Sequence, residues 1–234
     1  MSIQLEKRTE QIGILLKKKN INQSPVMRVG FVCDISGSAR TMYRDGTIQN
    51  TVDRLLAVSS KFDDNGEMDM WTFCSGFNRL DTASEADEGT YVQKKILDVS
   101  SVIKWGGTEY APVMKDVVDF YFEPEVKKSG GFLGFGAKKE TVNKSNVPAL
   151  CLFITDGANS DVSQTMKVLR ESVDKPIYWL MVGVGAASNF KFIEKAADEL
   201  PNVGFVNLAS LSISDEQLYS EVICDELCEF VKRF

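Results

Sequence analysis

The chain has 234 residues, of which 44% are hydrophobic, and this composition is ordinary for one large globular domain. Its formal net charge of -6 argues against nucleic acid or an anionic membrane as the main partner, because both favour a basic surface. Histidine is absent, which excludes Ser-His-Asp and Cys-His nucleophilic sites and zinc sites built from imidazole.

The first 24 residues are predicted to form a helix and a polar connector. Leu5, Ile12, Leu15 and Leu16 recur at helical spacing, and the lysines at 17–19 suit the carboxyl end of a helix dipole. We expect this helix to pack on the main domain. That domain is predicted to span residues 25–234, because no linker rich in proline, glycine or serine divides it.

A buried strand followed by a polar turn is the most informative stretch of the sequence. Residues 25–33 are largely apolar, as is typical of a strand buried on both faces, and Asp34, Ser36 and Ser38 follow at alternate positions. In a nearly extended turn these side chains lie on one side of the backbone, and their oxygens suit hard cations such as Mg2+. Gly37 permits a tight bend, and Ser38 is predicted to cap the next helix.

Residues 38–122 contain the next predicted elements. Apolar residues at helical spacing predict a helix over 38–62, and the apolar run at 68–74 predicts the second strand. The turn residues Ser75 and Gly76 indicate a hairpin, so that residues 77–80 form a short antiparallel edge strand. The sequence then predicts a short helix at 90–98, a loop at 105–108 and a helix at 110–122.

The segment 123–146 interrupts this pattern. It is rich in glycine and lysine, and we predict a flexible insert. The most apolar strand of the chain follows and ends in Thr155, Asp156 and Gly157, so it repeats the pattern of a buried run followed by a carboxylate. The remaining predicted elements are a helix at 160–172, a strand at 176–185, a helix at 189–200, a strand at 203–208 and a helix at 214–234.

Strands that alternate with helices predict a parallel sheet covered on both faces. Right-handed crossovers then give a three-layer, doubly wound α/β fold of the Rossmann-like type, whose six-stranded sheet is mostly parallel with one antiparallel edge strand. The carboxyl ends of parallel strands share one edge of the sheet, where open α/β folds bind their ligands. We therefore expect the polar groups that follow the two most apolar strands to meet at that edge.

Three short motifs, in a fixed order, carry a resemblance to a known family. They are Asp34-x-Ser36-x-Ser38, Gly106-Gly107-Thr108 and Thr155-Asp156-Gly157. In this combination the chain resembles the von Willebrand factor A (vWA) domain with its metal-ion-dependent adhesion site (MIDAS). The runs DISGSARTMYRDG and WGGTEYAPVM are most similar to the TerF-like tellurium-resistance group, although Ala39 stands where the first motif usually has methionine.

The resemblance implies a metal centre and a mode of binding. Ser36, Ser38 and Thr108 would supply hydroxyl ligands, while Asp34 and Asp156 would hold the ion mainly through water. The ion would be Mg2+, Mn2+ or Ca2+, and a partner protein would supply an Asp or Glu side chain as a further ligand. The protein would then be a divalent-cation-dependent binding module, not an enzyme, within a tellurite-resistance or stress-response assembly.

Three alternatives remain open at the level of sequence, and one of them is a scaffold protein whose site is empty in the cell. Serine and aspartate after a strand also form ordinary turns and helix caps, so each motif alone has a purely structural interpretation. The third alternative is a Mg2+-dependent phosphohydrolase of the haloacid-dehalogenase type, with Asp34 as nucleophile and Asp156 or Asp161 holding the metal. Ser36 argues against that enzyme, because such enzymes usually carry a second aspartate there as general acid.

The cysteine content and hydropathy bear on localisation. The five cysteines are odd in number, and three of them lie within apolar runs. Together with the absence of a secretory apolar segment at the start, this predicts a reducing, cytoplasmic environment. No apolar stretch reaches the ~20 residues that a transmembrane helix needs.

Overall fold

The computed structural model describes residues 1–21, 25–129, 138–142 and 146–233. Its strands are β1 (Arg28–Asp34), β2 (Asp69–Phe73), β3 (Phe77–Arg79), β4 (Glu125–Ser129), β5 (Lys138–Val142), β6 (Ala149–Thr155), β7 (Ile177–Val184) and β8 (Val203–Leu208). Its α-helices are α1 (Ile3–Lys18), α2 (Arg40–Arg44), α3 (Thr47–Phe62), α4 (Ala111–Phe122), α5 (Val162–Glu171), α6 (Lys191–Glu199), α7 (Asp215–Val222) and α8 (Asp225–Val231). Within these ranges, no helix combines the length and apolarity that a membrane span requires.

Six strands form one sheet in the order β3-β2-β1-β6-β7-β8. All neighbouring pairs are parallel except β2 and β3, which are antiparallel, so the predicted doubly wound sheet with one antiparallel edge strand is confirmed. From β1 the chain proceeds to β2 on one side, whereas β6 lies on the other side of β1. The strand order therefore reverses between β1 and β6, and a crevice at their carboxyl ends is the usual ligand position in such folds.

Alternate residues of the central strands fill two separate cores. Phe31, Leu152 and Leu180 belong to the core beneath α1, α3, α7 and α8. Val32 and Phe153, which are partners in the β1–β6 register, belong to the core beneath α4, α5 and α6. Because successive side chains of a strand point to opposite faces, residues 29–33 of β1 and 149–154 of β6 are buried and apolar at every position.

Gly183 of β7 lies where no side chain fits. A Cβ built at this position would lie 2.7 Å from Cδ2 of Phe190, whose ring is fully buried and cannot move away. We expect Gly183→Ala to lower the free energy of unfolding by about 1–3 kcal/mol, as overpacked cores do. Urea denaturation measures this change, and Gly76→Ala, where an added Cβ has no atom within 4 Å, is the matched control. Equal midpoints for the two variants would contradict the packing argument.

The amino-terminal helix α1 packs against α3 and α7. Leu5, Ile12 and Leu16 are buried in the same core as the sheet residues, and Arg8 forms an ion pair with Asp215 of α7, with 2.9 Å between Nε and Oδ2. The helix that the sequence predicted is thus present and attached at both its apolar and its polar face. The boundary of the domain at residue 25 stays a prediction.

Arg54 is a buried cation in α3, with 2% of its side chain exposed. Its Nε lies 2.6 Å from Oδ1 of Asp215, and Nη2 donates to the carbonyl oxygens of Ile213 at 2.9 Å and Ser214 at 2.7 Å. Asp215 therefore pairs with arginines from α1 and from α3. These contacts hold the segment before α7 against the helical layer.

Two predicted helices are each divided in the structure. The helix predicted over 38–62 is α2 followed by α3, because Gly46 adopts φ +80° between them. The helix predicted over 214–234 is α7 followed by α8, and Cys224 caps α8 by accepting the N–H of Leu227 at 3.4 Å. The two single-helix predictions were therefore wrong. Apolar residues recur at helical spacing on both sides of each break, and this pattern led to the prediction of one continuous helix.

The insert predicted to be a flexible loop contains paired backbone. β4 and β5 form a separate two-stranded antiparallel sheet, with Glu125 opposite Val142 and Ser129 opposite Lys138. Short alternating runs on either side of a glycine-rich stretch form such a hairpin, which the sequence analysis did not predict. The rest of the insert, residues 130–137 and 143–145, lies outside the described residues.

Candidate metal centre

Asp34 is the last residue of β1 and lies at the point where the strand order reverses. Its side chain is 1% exposed, and both carboxylate oxygens accept hydrogen bonds. The backbone N–H of Ser36 donates to Oδ1 at 2.6 Å, and Oγ1 of Thr155, the last residue of β6, donates to Oδ2 at 2.8 Å. The carboxylate is therefore held in one orientation by the ends of two adjacent strands.

A chain of hydroxyl groups leads from this turn to Asp156. The Oγ atoms of Ser36 and Ser38 are 3.0 Å apart, and Ser38 Oγ donates to Oδ1 of Asp156 at 2.8 Å. Ser38 was predicted to cap the next helix, but α2 begins at Arg40 with Ala39 at the cap position. That prediction was wrong, because the hydroxyl of Ser38 bonds across the crevice to Asp156.

Thr108 reaches the same edge through a loop tied to its neighbours by backbone groups. The N–H of Gly37 donates to the carbonyl oxygen of Gly106 at 3.1 Å, and the N–H of Gly107 donates to Oγ of Ser75 at 2.9 Å. Ser160 donates its N–H to the carbonyl oxygen of Thr108 at 2.9 Å. Hydrogen bonds connect the other four candidate residues, Asp34, Ser36, Ser38 and Asp156. Within the described residues, these bonds do not include the half-buried side chain of Thr108.

Asp161 supports this loop from the segment after β6. Its two carboxylate oxygens accept the N–H groups of Tyr110 at 3.0 Å and Ala111 at 2.7 Å, so it caps the start of α4. Asn159 donates to the same carboxylate at 2.8 Å. This role could not be predicted from the sequence, because a cap supplied by a distant segment leaves no signal near the helix it caps.

Burial dominates the electrostatics of the site. Desolvation raises the pKa of Asp34 to about 6, although the hydrogen bonds from Ser36 and Thr155 act in the opposite direction. Desolvation also raises the pKa of Tyr110, whose hydroxyl therefore stays a donor, here to the carbonyl oxygen of Gly157 at 2.6 Å. A cation beside the crevice would favour the charged form of Asp34.

The chemistry of these donors fits a hard divalent cation. Three hydroxyls and two carboxylates lie at this edge, from Asp34, Ser36, Ser38, Thr108 and Asp156. Oxygen donors of this kind suit Mg2+, Mn2+ or Ca2+, whereas zinc sites use thiolates and imidazoles. In the described ranges, no three His, Cys, Asp or Glu side chains are grouped as a metal site, so a cation here would depend on hydroxyl ligands.

Comparison with known proteins identifies a family and a close relative. A family model for vWA-TerF-like domains, described as the vWA found in the TerF C terminus, matches residues 26–133 and 136–233. The uncharacterized protein YcbR of Bacillus subtilis (strain 168) is 35% identical over 230 residues, which cover 96% of this chain and 84% of YcbR.

Solved structures share the fold at low sequence identity. Proximal thread matrix protein 1 from the mussel byssus aligns with a TM-score of 0.58 and 17% identity over 88% of this chain and 48% of its own. The ArnB paralog VWA2 from Sulfolobus acidocaldarius aligns with a TM-score of 0.52 and 13% identity over 85% of this chain and 44% of its own. An aerotolerance-related membrane protein from Bacteroides fragilis aligns with a TM-score of 0.51 and 12% identity over 89% of this chain and 100% of its own. This chain spans about half of the first two proteins, and at these identities the likeness concerns the fold.

Proposed function

Because the chain belongs to the vWA-TerF-like family, we propose that it is a divalent-cation-dependent protein-binding module whose carboxyl-edge crevice captures an acidic side chain of a partner. The observation that carries the proposal is the continuous set of polar contacts from Thr155 through Asp34 and Ser36 to Ser38 and Asp156. These contacts gather oxygen donors from separate segments at one point, which ordinary turns and caps do not require.

In such a site the hydroxyl and carboxylate residues would have different roles. Ser36, Ser38 and Thr108 would hold the ion through neutral hydroxyls, and Asp34 and Asp156 would orient those hydroxyls and supply negative charge. A divalent ion held mainly by neutral ligands keeps most of its charge and can accept a further anionic oxygen. An Asp or Glu side chain of a partner protein is the ligand that we propose for that position.

The proposal treats the protein as a binding module and not as an enzyme. Ser36 occupies the position where a phosphohydrolase of the haloacid-dehalogenase type would need an acid. Asp161, which that mechanism could use for its metal, accepts the N–H groups of Tyr110 and Ala111 at the start of α4. Turnover of p-nitrophenyl phosphate that disappears in Asp34→Asn would overturn the binding-module proposal.

Thermal unfolding with and without Mg2+ tests the metal site. A ligand that binds only the folded state stabilises it by mass action, so millimolar Mg2+ or Mn2+ is expected to raise the melting temperature and EDTA to reverse the rise. Sodium chloride at matched ionic strength is the control for general salt effects. No rise with Mg2+, Mn2+ or Ca2+ would refute a cation site at this edge.

The cellular setting is proposed from the family alone. We infer a role in a cytoplasmic tellurite-resistance or stress-response assembly, because the family model is described from the TerF C terminus. If this is correct, a partner should be recovered from host lysate in Mg2+ and lost in EDTA, and replacing one acidic residue of that partner should abolish recovery. Recovery that is indifferent to EDTA would contradict the metal-dependent mode.

A further inference from the structure

Arg40 is an exposed cation at the rim of the crevice. It is the first residue of α2 and lies two positions after Ser38, so it directly follows the turn that carries the candidate hydroxyl ligands Ser36 and Ser38. Its Cζ lies 5.2 Å from the centroid of the Trp105 ring. A guanidinium over an indole face is held by cation–π attraction, which restricts where the side chain can point.

Trp105 is itself firmly placed. Its ring meets the buried Tyr43 ring edge-to-face, with 5.5 Å between centroids, and its backbone has φ +45°. A positive φ is unusual for a bulky residue and persists only where the surroundings impose it. The next residue, Gly106, accepts the N–H of Gly37. The indole that supports Arg40 is thereby fixed against the turn and the loop that form the crevice.

The guanidinium of Arg40 is available for an external acceptor. In the described part of the chain, Arg40 has no carboxylate within ion-pair distance, whereas four other arginines are paired with aspartates, namely Arg8, Arg28, Arg54 and Arg79. A cation–π contact engages no N–H donor, so the edge of the guanidinium remains open to an acceptor. Such an edge matches a planar carboxylate, with which it forms two parallel hydrogen bonds.

Charge balance favours an acidic ligand there. The ion attracts the first carboxylate of a partner, but the crevice carboxylates Asp34 and Asp156 and the net charge of -6 disfavour a second one. An incoming acidic segment therefore needs a further positive group close to where it binds. Arg40 supplies this charge, and a singly charged carboxylate suits the acidic surroundings better than a doubly charged phosphate.

We propose that Arg40 is a specificity-determining residue that binds a second carboxylate of the partner. The partner segment would then carry two acidic side chains, one for the ion and one for the guanidinium. This inference rests on the proposed function, because it assumes that the first carboxylate is captured at the metal centre.

Peptide binding by fluorescence anisotropy tests the inference in the presence of Mg2+. The probes are fluorescein-labelled glycine-serine peptides with one aspartate, or with two aspartates separated by one, two or three residues. The tightest two-aspartate peptide is expected to bind the wild-type protein about tenfold more tightly than the one-aspartate peptide, as one charge-assisted contact predicts. In Arg40→Gln this ratio should fall to about one, with unchanged affinity for the one-aspartate peptide. Arg44→Gln, an exposed arginine of the same helix, is the matched control and should keep the tenfold ratio.

Metal-dependent thermal unfolding separates failure of this inference from failure of the proposed function. Arg40→Gln is expected to keep the full rise in melting temperature with Mg2+. Equal affinities of the wild-type protein for both kinds of peptide would overturn the role of Arg40 while leaving the metal site intact. Loss of the rise in Arg40→Gln would also overturn that role, because it would show that Arg40 supports ion binding itself. No rise in the wild-type protein would instead refute the proposed function, and this inference would fall with it.

Discussion

Thr108→Ala is expected to remove most of the stabilisation that Mg2+ gives the wild-type protein. Loss of one direct hydroxyl ligand should weaken ion binding by ~100-fold, at the upper end of what removing a supporting residue does. At an ion concentration ~100 times the wild-type dissociation constant, stabilisation would fall from about 2.7 kcal/mol to about 0.4 kcal/mol. For a chain of this size, the rise in melting temperature would shrink from about 5–10 °C to about 1 °C.

The matched control for this variant is Thr82→Ala. Thr82 is an exposed threonine that bonds only at the surface, where Oγ1 donates to Oε2 of Glu67 at 3.2 Å, and it lies near the amino end of β2. We expect it to keep the full response to Mg2+. In EDTA, both variants should melt close to the wild-type temperature, since neither side chain supports the core. An unchanged rise in Thr108→Ala would show that the site is misplaced.

Arg54→Met is expected to lower the free energy of unfolding by about 2–4 kcal/mol, because Asp215 keeps its ion pair with Arg8. The substitution keeps an unbranched chain but removes the buried charge, so Asp215 loses its 2.6 Å partner and the buried carbonyl oxygen of Leu211 loses its donor at 3.2 Å. Buried acceptors without donors carry the full cost of desolvation. Urea denaturation, read by circular dichroism, measures the change.

Arg79→Met provides the comparison on the surface. Arg79 also pairs with an aspartate, at 2.7 Å from Asp116, but its side chain is 44% exposed, and such pairs contribute about 0.2–1 kcal/mol. The two variants thus remove the same chemical group from a buried and from an exposed setting. Similar losses of stability in both would contradict the role assigned to the buried cluster around Asp215.

The sheet could be predicted because its determinants are local. Continuous apolar runs mark strands buried on both faces, and the Ser75–Gly76 turn indicates the antiparallel edge strand, which is β3. The division of one helix at Gly46 was missed, although Asp45 and Gly46 are a common turn pair, because apolar residues recur at helical spacing on both sides of the break. The buried Arg54 and its ion pair with the partly exposed Asp215 were also missed, since a charged residue on a helix is normally assigned to the exposed face.

The candidate site was predictable in its residues but not in its connections. Alternate spacing places the oxygens of Asp34, Ser36 and Ser38 on one side of a turn, and strand order brings Asp156 beside them. The position of the Thr108 loop depends instead on contacts between distant segments, such as the cap that Asp161 gives to α4. The identity and presence of an ion at these residues stay a prediction.

The placement of the crevice at the ends of β1 and β6 has a mechanical consequence. These two strands are central, parallel and paired along most of their length, from Arg28 with Ala149 to Cys33 with Ile154. A tensile force applied through a ligand at this edge pulls β1 and β6 together along their axes, so the hydrogen bonds that join them to β2 and β7 are loaded in shear. Many bonds then share the force at once, whereas a pull across the sheet would unzip them one after another.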